Sequence, residues 1–143
     1  MADPRNPVVM MIGGVPVVNA PQEIDAANAQ SFRKVLLHTA DRGHATVVVN
    51  MADTQFCDSA GMSAVAWAHG HITAKNAELL LVIPPGAPVL RIFAVTGLDQ
   101  IIPIFANLNA ALEQARALLP RPLQRRTTPP QGRLAGLRGE AVK

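Results

Sequence analysis

Residues 45–65, "ATVVVNMADTQFCDSAGMSAV", decide how this 143-residue chain is read. The first part, residues 45–51, is short, unbroken and rich in valine, the pattern of a strand covered on both faces in a parallel sheet. From about Ser59 to Ala74 apolar residues recur at helical spacing, and Met62, Val65, Ala66, His69 and Ile72 or Thr73 can form one stripe. Between them lies "FCDSAGM", residues 56–62, with an acid, a hydroxyl and a glycine at the junction. Three roles compete there. Asp58 or Ser59 can cap the helix, a contact worth about 1 kcal/mol. Cys57 or Ser59 can be a nucleophile. Ser59 can be a surface hydroxyl that receives a phosphate, adding roughly −1.5 to −2 charges. Gly61 reads as a small residue that lets the helix start lie close to the sheet.

Upstream, residues 8–12 and 15–20 are two β-rich runs around Gly13-Gly14, a hairpin signal. Asp25 is placed to cap a helix whose Ala29, Phe32, Leu36 and Ala40 follow helical spacing, with Gly43 just past its end. Downstream, "ELLLVI" (78–83) is a second buried strand. Pro88 favours the first turn of a helix carrying Val89, Ile92 and Phe93, which ends at Gly97. A short strand is expected near 101–104. Asn107 can cap a last helix with Leu108, Ala111, Leu112, Ala115 and Leu118 or Leu119 inward. The order β-β-α-β-α-β-α-β-α describes a single small α/β domain over residues 1–119, a mixed sheet with helices packed against it.

Residues 120–143 break this periodicity. Six cations stand there against one acid, a net +5, whereas the preceding body is −2. Rich in Pro, Gly and Arg, the segment reads as a disordered basic tail. Its cations can attract phosphate non-specifically, but a solvated extension is the better reading, and no direct nucleic-acid contact is expected. Hydrophobic residues make up 49% of the chain, enough for a packed core. Aromatics at 3% argue against base or sugar stacking. The single cysteine excludes an internal disulfide and suits a cytoplasmic location. Residues 8–18 are apolar, but Asp3 and Arg5 cancel ahead of them and Gly13, Gly14 and Pro16 interrupt them, which speaks against an export signal. No run approaches the ~20 apolar residues of a membrane span.

Enzyme chemistry finds little support. Cys57-x-Ser59-x-Gly61 lacks the first glycine of the esterase elbow. His69 and His71, two apart on a helix, point away from each other and cannot share a metal. "PPGAP" (84–88) lacks the lysine of a phosphate loop. No catalytic residue, metal or cofactor is assigned.

Three segments carry a family resemblance: "PQEIDAANAQSF" (21–32), "VVVNMADTQFCDSAGMSAV" (47–65) and "RIFAVTGLDQIIPIFANLNAAL" (91–112). In this order and spacing they resemble the STAS-domain family, specifically its bacterial anti-sigma factor antagonists, over roughly residues 8–119. The resemblance implies a binding protein of transcription regulation. Its unphosphorylated form binds an anti-sigma factor, a serine kinase, and so frees a sigma factor. Phosphorylation by that kinase would fall on Ser59 and switch binding off, and a serine phosphatase would reverse it. Asp58, Ser59, Ala60, Gly61 and Met62 match the phosphorylated helix start, and Glu23 and Asp25 match acidic positions of the neighbouring loop. Pro21-Gln22 replace a family glycine, and Ser63 stands where a glycine is frequent. The alternative is a non-phosphorylated STAS interaction subunit of a signalling or lipid-transport complex.

Overall fold

The computed structural model describes residues 5–118. The segment expected to be a tail, 120–143, lies outside the described residues. Strands β1 (Val8–Ile12) and β2 (Val15–Asn19) form the expected hairpin, joined at Gly13-Gly14 with both φ positive, 58° and 82°. Only glycine adopts that pair of angles readily, which is why this turn closes in two residues. Then follow β3 (Glu23–Ile24), α1 (Ala29–Ala40), β4 (Thr46–Asn50), β5 (Phe56–Cys57) and α2 (Ser59–Ala74). The chain continues through β6 (Glu78–Val82), α3 (Pro88–Thr96), a 3₁₀ turn (Leu98–Gln100), β7 (Ile104–Phe105) and α4 (Leu108–Leu118).

The main sheet has the order β1-β2-β4-β6-β7, with β1 antiparallel to β2 and the other pairs parallel. Alternate side chains of the central strands point to opposite faces. Val47, Val49, Leu79 and Leu81 face α1, α2 and α3 with Phe32, Leu36, Val65, Ile72 and Phe93 in one core. Val48, Leu80 and Val82 face α4 with Ala111, Leu112 and Ala115 in the other. Two covered faces explain why β4 and β6 read as unbroken apolar runs.

Several expectations shift. The two-residue strands β3 and β5, absent from the anticipated order, pair in parallel as a separate small sheet, Glu23 with Phe56 and Ile24 with Cys57. The closing strand begins at Ile104 rather than 101. The backbone N–H groups of Ile101 and Ile102 both donate to the Leu98 carbonyl, so the turn runs on and leaves Ile101 exposed. Leu118 is exposed, not inward, because α4 meets the sheet through the small residues Ala111 and Ala115 around Leu112. Leu119 lies outside the described residues.

Candidate functional site

Strand β4 ends at Asn50, and the path to α2 is built in short fixed steps. The Asn50 side chain donates to Asn19 Oδ1 at 3.0 Å and accepts from the Ala52 N–H at 3.1 Å, turning the chain over the carboxyl edge of the sheet. Thr54 is buried, and its hydroxyl donates to the Pro21 carbonyl at 2.9 Å. The Gln55 N–H donates to the Gln22 carbonyl at 2.8 Å, and the Asp58 N–H to the Ile24 carbonyl at 3.0 Å. Pro21-Gln22 thus lead directly into the β3–β5 pairing, and that pairing sets the entry angle of α2. Open α/β sheets place binding sites at this carboxyl edge.

At the helix start Asp58 has an extended backbone, and its Oδ1 accepts from the N–H groups of Ala60 at 2.9 Å and Gly61 at 3.1 Å. Of the two residues proposed as the cap, Asp58 takes the role and Ser59 is released from it. Ser59 is the first helical residue and is exposed. The N–H groups of Ala60 and Gly61 are thus engaged by Asp58 and are not free for a phosphate on Ser59. Such a phosphate would face a carboxylate and would have the helix dipole and solvent to offset it.

Gly61 is buried for a steric reason. A Cβ there would lie 2.6 Å from Cys57 Sγ and 2.7 Å from Ile24 Cγ2. The helix start rests on the β3–β5 pair at glycine distance, as its position suggested. Cys57 is buried, and its thiol is pushed up to about 12 by burial and then by the nearby Asp58 charge. A thiol so raised is not a nucleophile at neutral pH. No hydrogen bond joins Ser59 or Cys57 to a histidine among the described residues. His71 instead meets Asp41 at 3.2 Å, and His38 and His44 line a groove beside β1. Among the described residues no group of three or more His, Cys, Asp or Glu is arranged to hold a metal.

The loop before α1 departs from expectation. Asp25 does not cap the helix, which starts four residues later at Ala29 behind Asn28. Asp25 Oδ1 accepts from Arg5 at 2.8 Å and from the Ala27 N–H at 2.9 Å. Asn28 is turned back instead, donating to the Glu23 and Arg5 carbonyls and accepting from the Asp25 N–H. Arg5 also reaches Glu23 Oε1 at 3.3 Å. The Arg5 hydrogen bond is the main reason the Asp25 carboxyl lies below its usual range, with burial opposing it. The structure therefore brings Glu23 and Asp25 together on one cation, in the loop that leads β3 into α1.

The buried stripe of α2 is rotated from the expected one. Gly61, Met62, Ala64, Val65, Ala68 and Ile72 are inside, whereas Ala66 and His69 are half-buried and Thr73 is exposed. Gly61 is inside over the β3–β5 pair, and the small residues Ala64 and Ala68 are inside because α2 packs closely against α1 as well as the sheet. Beside them runs an open groove of about 360 Å³, lined by Ala26, Ala29, Gln30, Arg33, Ala60, Ser63, Ala64 and Trp67. Arg33 lies over the Trp67 ring at 4.8 Å from its centroid, and Trp67 stacks on His71 at 5.5 Å. Sequence reasoning missed Arg33 and Trp67. The available signal was that both fall outside the apolar stripes of their helices.

The model of the STAS domain matches residues 6–111. No curated protein matches the sequence. An anti-sigma factor antagonist from Mycobacterium paratuberculosis has a similar structure, with a TM-score of 0.70 and 23% identity, covering 78% of this chain and 93% of that one. The anti-sigma factor antagonist SpoIIAA in its unphosphorylated form gives 0.66 at 18% identity, over 80% of this chain and 99% of that one. The phosphorylated form, described as a Bacillus cell fate determinant, gives 0.60 at 19%, over 77% and 99%. A murine anion transporter, Slc26a9, gives 0.59 at 25% identity, over 74% of this chain but 18% of the transporter. No helix among the described residues is long and apolar enough to cross a membrane.

Proposed function

The chain belongs to the STAS-domain family, and on that premise we propose that it is an anti-sigma factor antagonist switched by phosphorylation at Ser59. Its unphosphorylated form binds a serine-kinase anti-sigma factor over the start of α2 and so frees a sigma factor. Ser59 Oγ then takes the γ-phosphoryl group of ATP from that kinase, with release of ADP and a proton, and a serine phosphatase removes it. The observation that carries this reading is an exposed hydroxyl at residue 59 beside a cap already supplied by Asp58. The hydroxyl is dispensable to the helix, so it can be modified without loss of the first turn.

The electrostatics favour a switch of contact rather than of fold. A dianion at Ser59 would stand next to the Asp58 carboxylate, whose accepted N–H groups leave it anchored. A partner docked there would have to desolvate both charges, which opposes binding by several kcal/mol when they stay unpaired. Met62 and Gly61 are buried and serve the surface by holding the helix start in place. Ala60, half-buried, and the Glu23–Asp25 loop contribute contact. A partner cation that seeks those two acids must displace or share with Arg5.

The test is incubation of the full chain with the kinase-type anti-sigma factor of its host and ATP, followed by peptide mapping. Phosphate on the peptide containing Ser59 is expected, and Ser59→Ala should bind the kinase and resist release. Ser59→Asp should bind at least ~10-fold more weakly. Modification elsewhere, or full binding by Ser59→Asp, refutes the switch. The likeness to a domain of an anion transporter favours a second reading, an interaction subunit without phosphorylation. An unmodified Ser59 with a stable non-kinase partner would select it.

A further inference from the structure

The groove between α1 and α2 has an uneven chemistry. Half of its lining is alanine, Ala26 and Ala29 from the α1 side and Ala60 and Ala64 from α2, with Gln30 and Ser63 as neutral polar groups. One lining residue, Arg33, carries a charge, and no acid is among them. The nearby acids are engaged elsewhere: Asp58 on the Ala60 and Gly61 N–H groups, Asp25 on Arg5 and Ala27. Arg33 makes no ion pair among the described residues, and its Nε is buried without a hydrogen-bond acceptor. Buried donors are nearly always satisfied, so this guanidinium stands out as a cation that the described residues leave uncompensated beside the groove. The guanidinium carbon lies 4.8 Å from the Trp67 ring centroid, a cation–π contact that keeps the charge beside the groove.

We infer that this groove receives a carboxylate side chain, Glu or Asp, from the anti-sigma partner, with Arg33 as its counter-charge and the alanines covering its aliphatic stem. This rests on the proposed docking over α2 and adds the residue that selects the partner's chemistry. A planar guanidinium recognises a carboxylate through paired N–H donors, which a lysine cannot reproduce. The groove also adjoins the switch, since Ala60, one of its walls, directly follows Ser59. A phosphate at Ser59 supplies this region with its own anion. It competes for the field of Arg33 and repels the incoming carboxylate, so one cation serves the two states in turn.

Two measurements on the full chain test this. Trp67 is the single tryptophan, so its emission reports the groove without ambiguity. N-acetyl-leucyl-glutamate α-amide, whose one carboxylate is the side chain's, should change that emission saturably, with Kd on the order of 1 mM, and Arg33→Met should abolish the change. N-acetyl-leucyl-glutamine amide, which has no carboxylate, should have no effect. Equal responses to the two dipeptides, or an equal response to inorganic phosphate, overturn the inference. In the second measurement, Arg33→Met, with its fold checked by circular dichroism, should weaken kinase binding roughly 10- to 100-fold. Arg33→Lys should recover only part of that. The loss caused by Ser59→Asp should be smaller in the Arg33→Met background than in the wild type. If Arg33→Met binds the kinase as wild type does, the groove assignment is wrong while the Ser59 switch stands. If the wild type does not bind the kinase, the switch falls and the dipeptide titration alone decides the groove.

Discussion

At its N-terminal end α2 carries the Asp58 cap, the exposed Ser59 and, across the groove, an Arg33 whose Nε has no acceptor. At its C-terminal end one carboxylate, Asp41, collects both His71 at 3.2 Å and the Lys75 ammonium. A row of side chains joins the two ends, Arg33 over Trp67, Trp67 on His71, His71 on Asp41. Along that row the charges change from unanswered to mutually answered. Where acid and base are paired within the chain, the surface is finished and offers a partner little. Where the nearby acids Asp58 and Asp25 are engaged elsewhere and Arg33 has no ion pair among the described residues, the surface is left for the proposed partner to complete. One helix thus has an end whose charges are paired within the chain and an end that the proposed function assigns to recognition.

The largest effect that would break this comparison lies beneath the recognition end. Gly61→Ala puts a Cβ within 2.6 Å of Cys57 Sγ and 2.7 Å of Ile24 Cγ2, both in buried residues. Overpacking of this kind should destabilise the domain by about 1–3 kcal/mol, read as a lower urea midpoint. An unchanged midpoint would mean that α2 does not rest on the β3–β5 pair as described. Next comes the cap itself. Asp58→Ala should cost roughly 0.5–2 kcal/mol at an unchanged urea slope, and Asp58→Asn should retain most of it. A neutral Asp58→Ala would return the capping role to Ser59 and weaken the case for a dispensable hydroxyl.

The smallest effect belongs to the other end. The Asp41 carboxyl is held below its ordinary value of 3.8, first by Lys75 and then by His71. A carboxyl lowered in the folded state contributes stability above 3.8, and that contribution is lost as pH falls through the lowered value. The pair is exposed and screened by solvent, so Asp41→Asn should lower the neutral-pH midpoint only slightly. The small difference between the two proteins should start to shrink near pH 3.8 and vanish only once the pH has fallen through the lowered Asp41 value. A large neutral-pH loss would show that the C-terminal pairing matters to the fold as much as the cap does.

Much of this fold was legible. The runs at 46–50 and 78–82 are long enough to show that they are buried on both faces, and Gly13-Gly14 admits one kind of turn. The Asp58–Gly61 junction was recognisable because a capping acid and a small residue at a helix start have few other uses together. The β3–β5 pair was not legible, since two residues carry no period and each strand exists only because the other lies beside it. Asp25 was misread for the same reason. Its expected capping role is overridden by Arg5, 20 residues away. The stripe on α2 was misplaced because hydrophobicity alone ranks Ala64 and Ala68 low, and their burial depends on how closely α1 approaches.

The sequence by itself determined the order of the large elements, the two-sided burial of the central strands and the position of Ser59 at a helix start. These follow from local rules: side-chain period, turn chemistry and capping need only neighbours along the chain. The tertiary structure alone decided that Asp58 rather than Ser59 closes the helix, that Arg5 holds Glu23 and Asp25 together, and that Arg33 faces a groove with no acid in it. Those outcomes depend on which charges meet across distant segments, and an electrostatic partner is chosen by distance in space, which residue spacing does not encode.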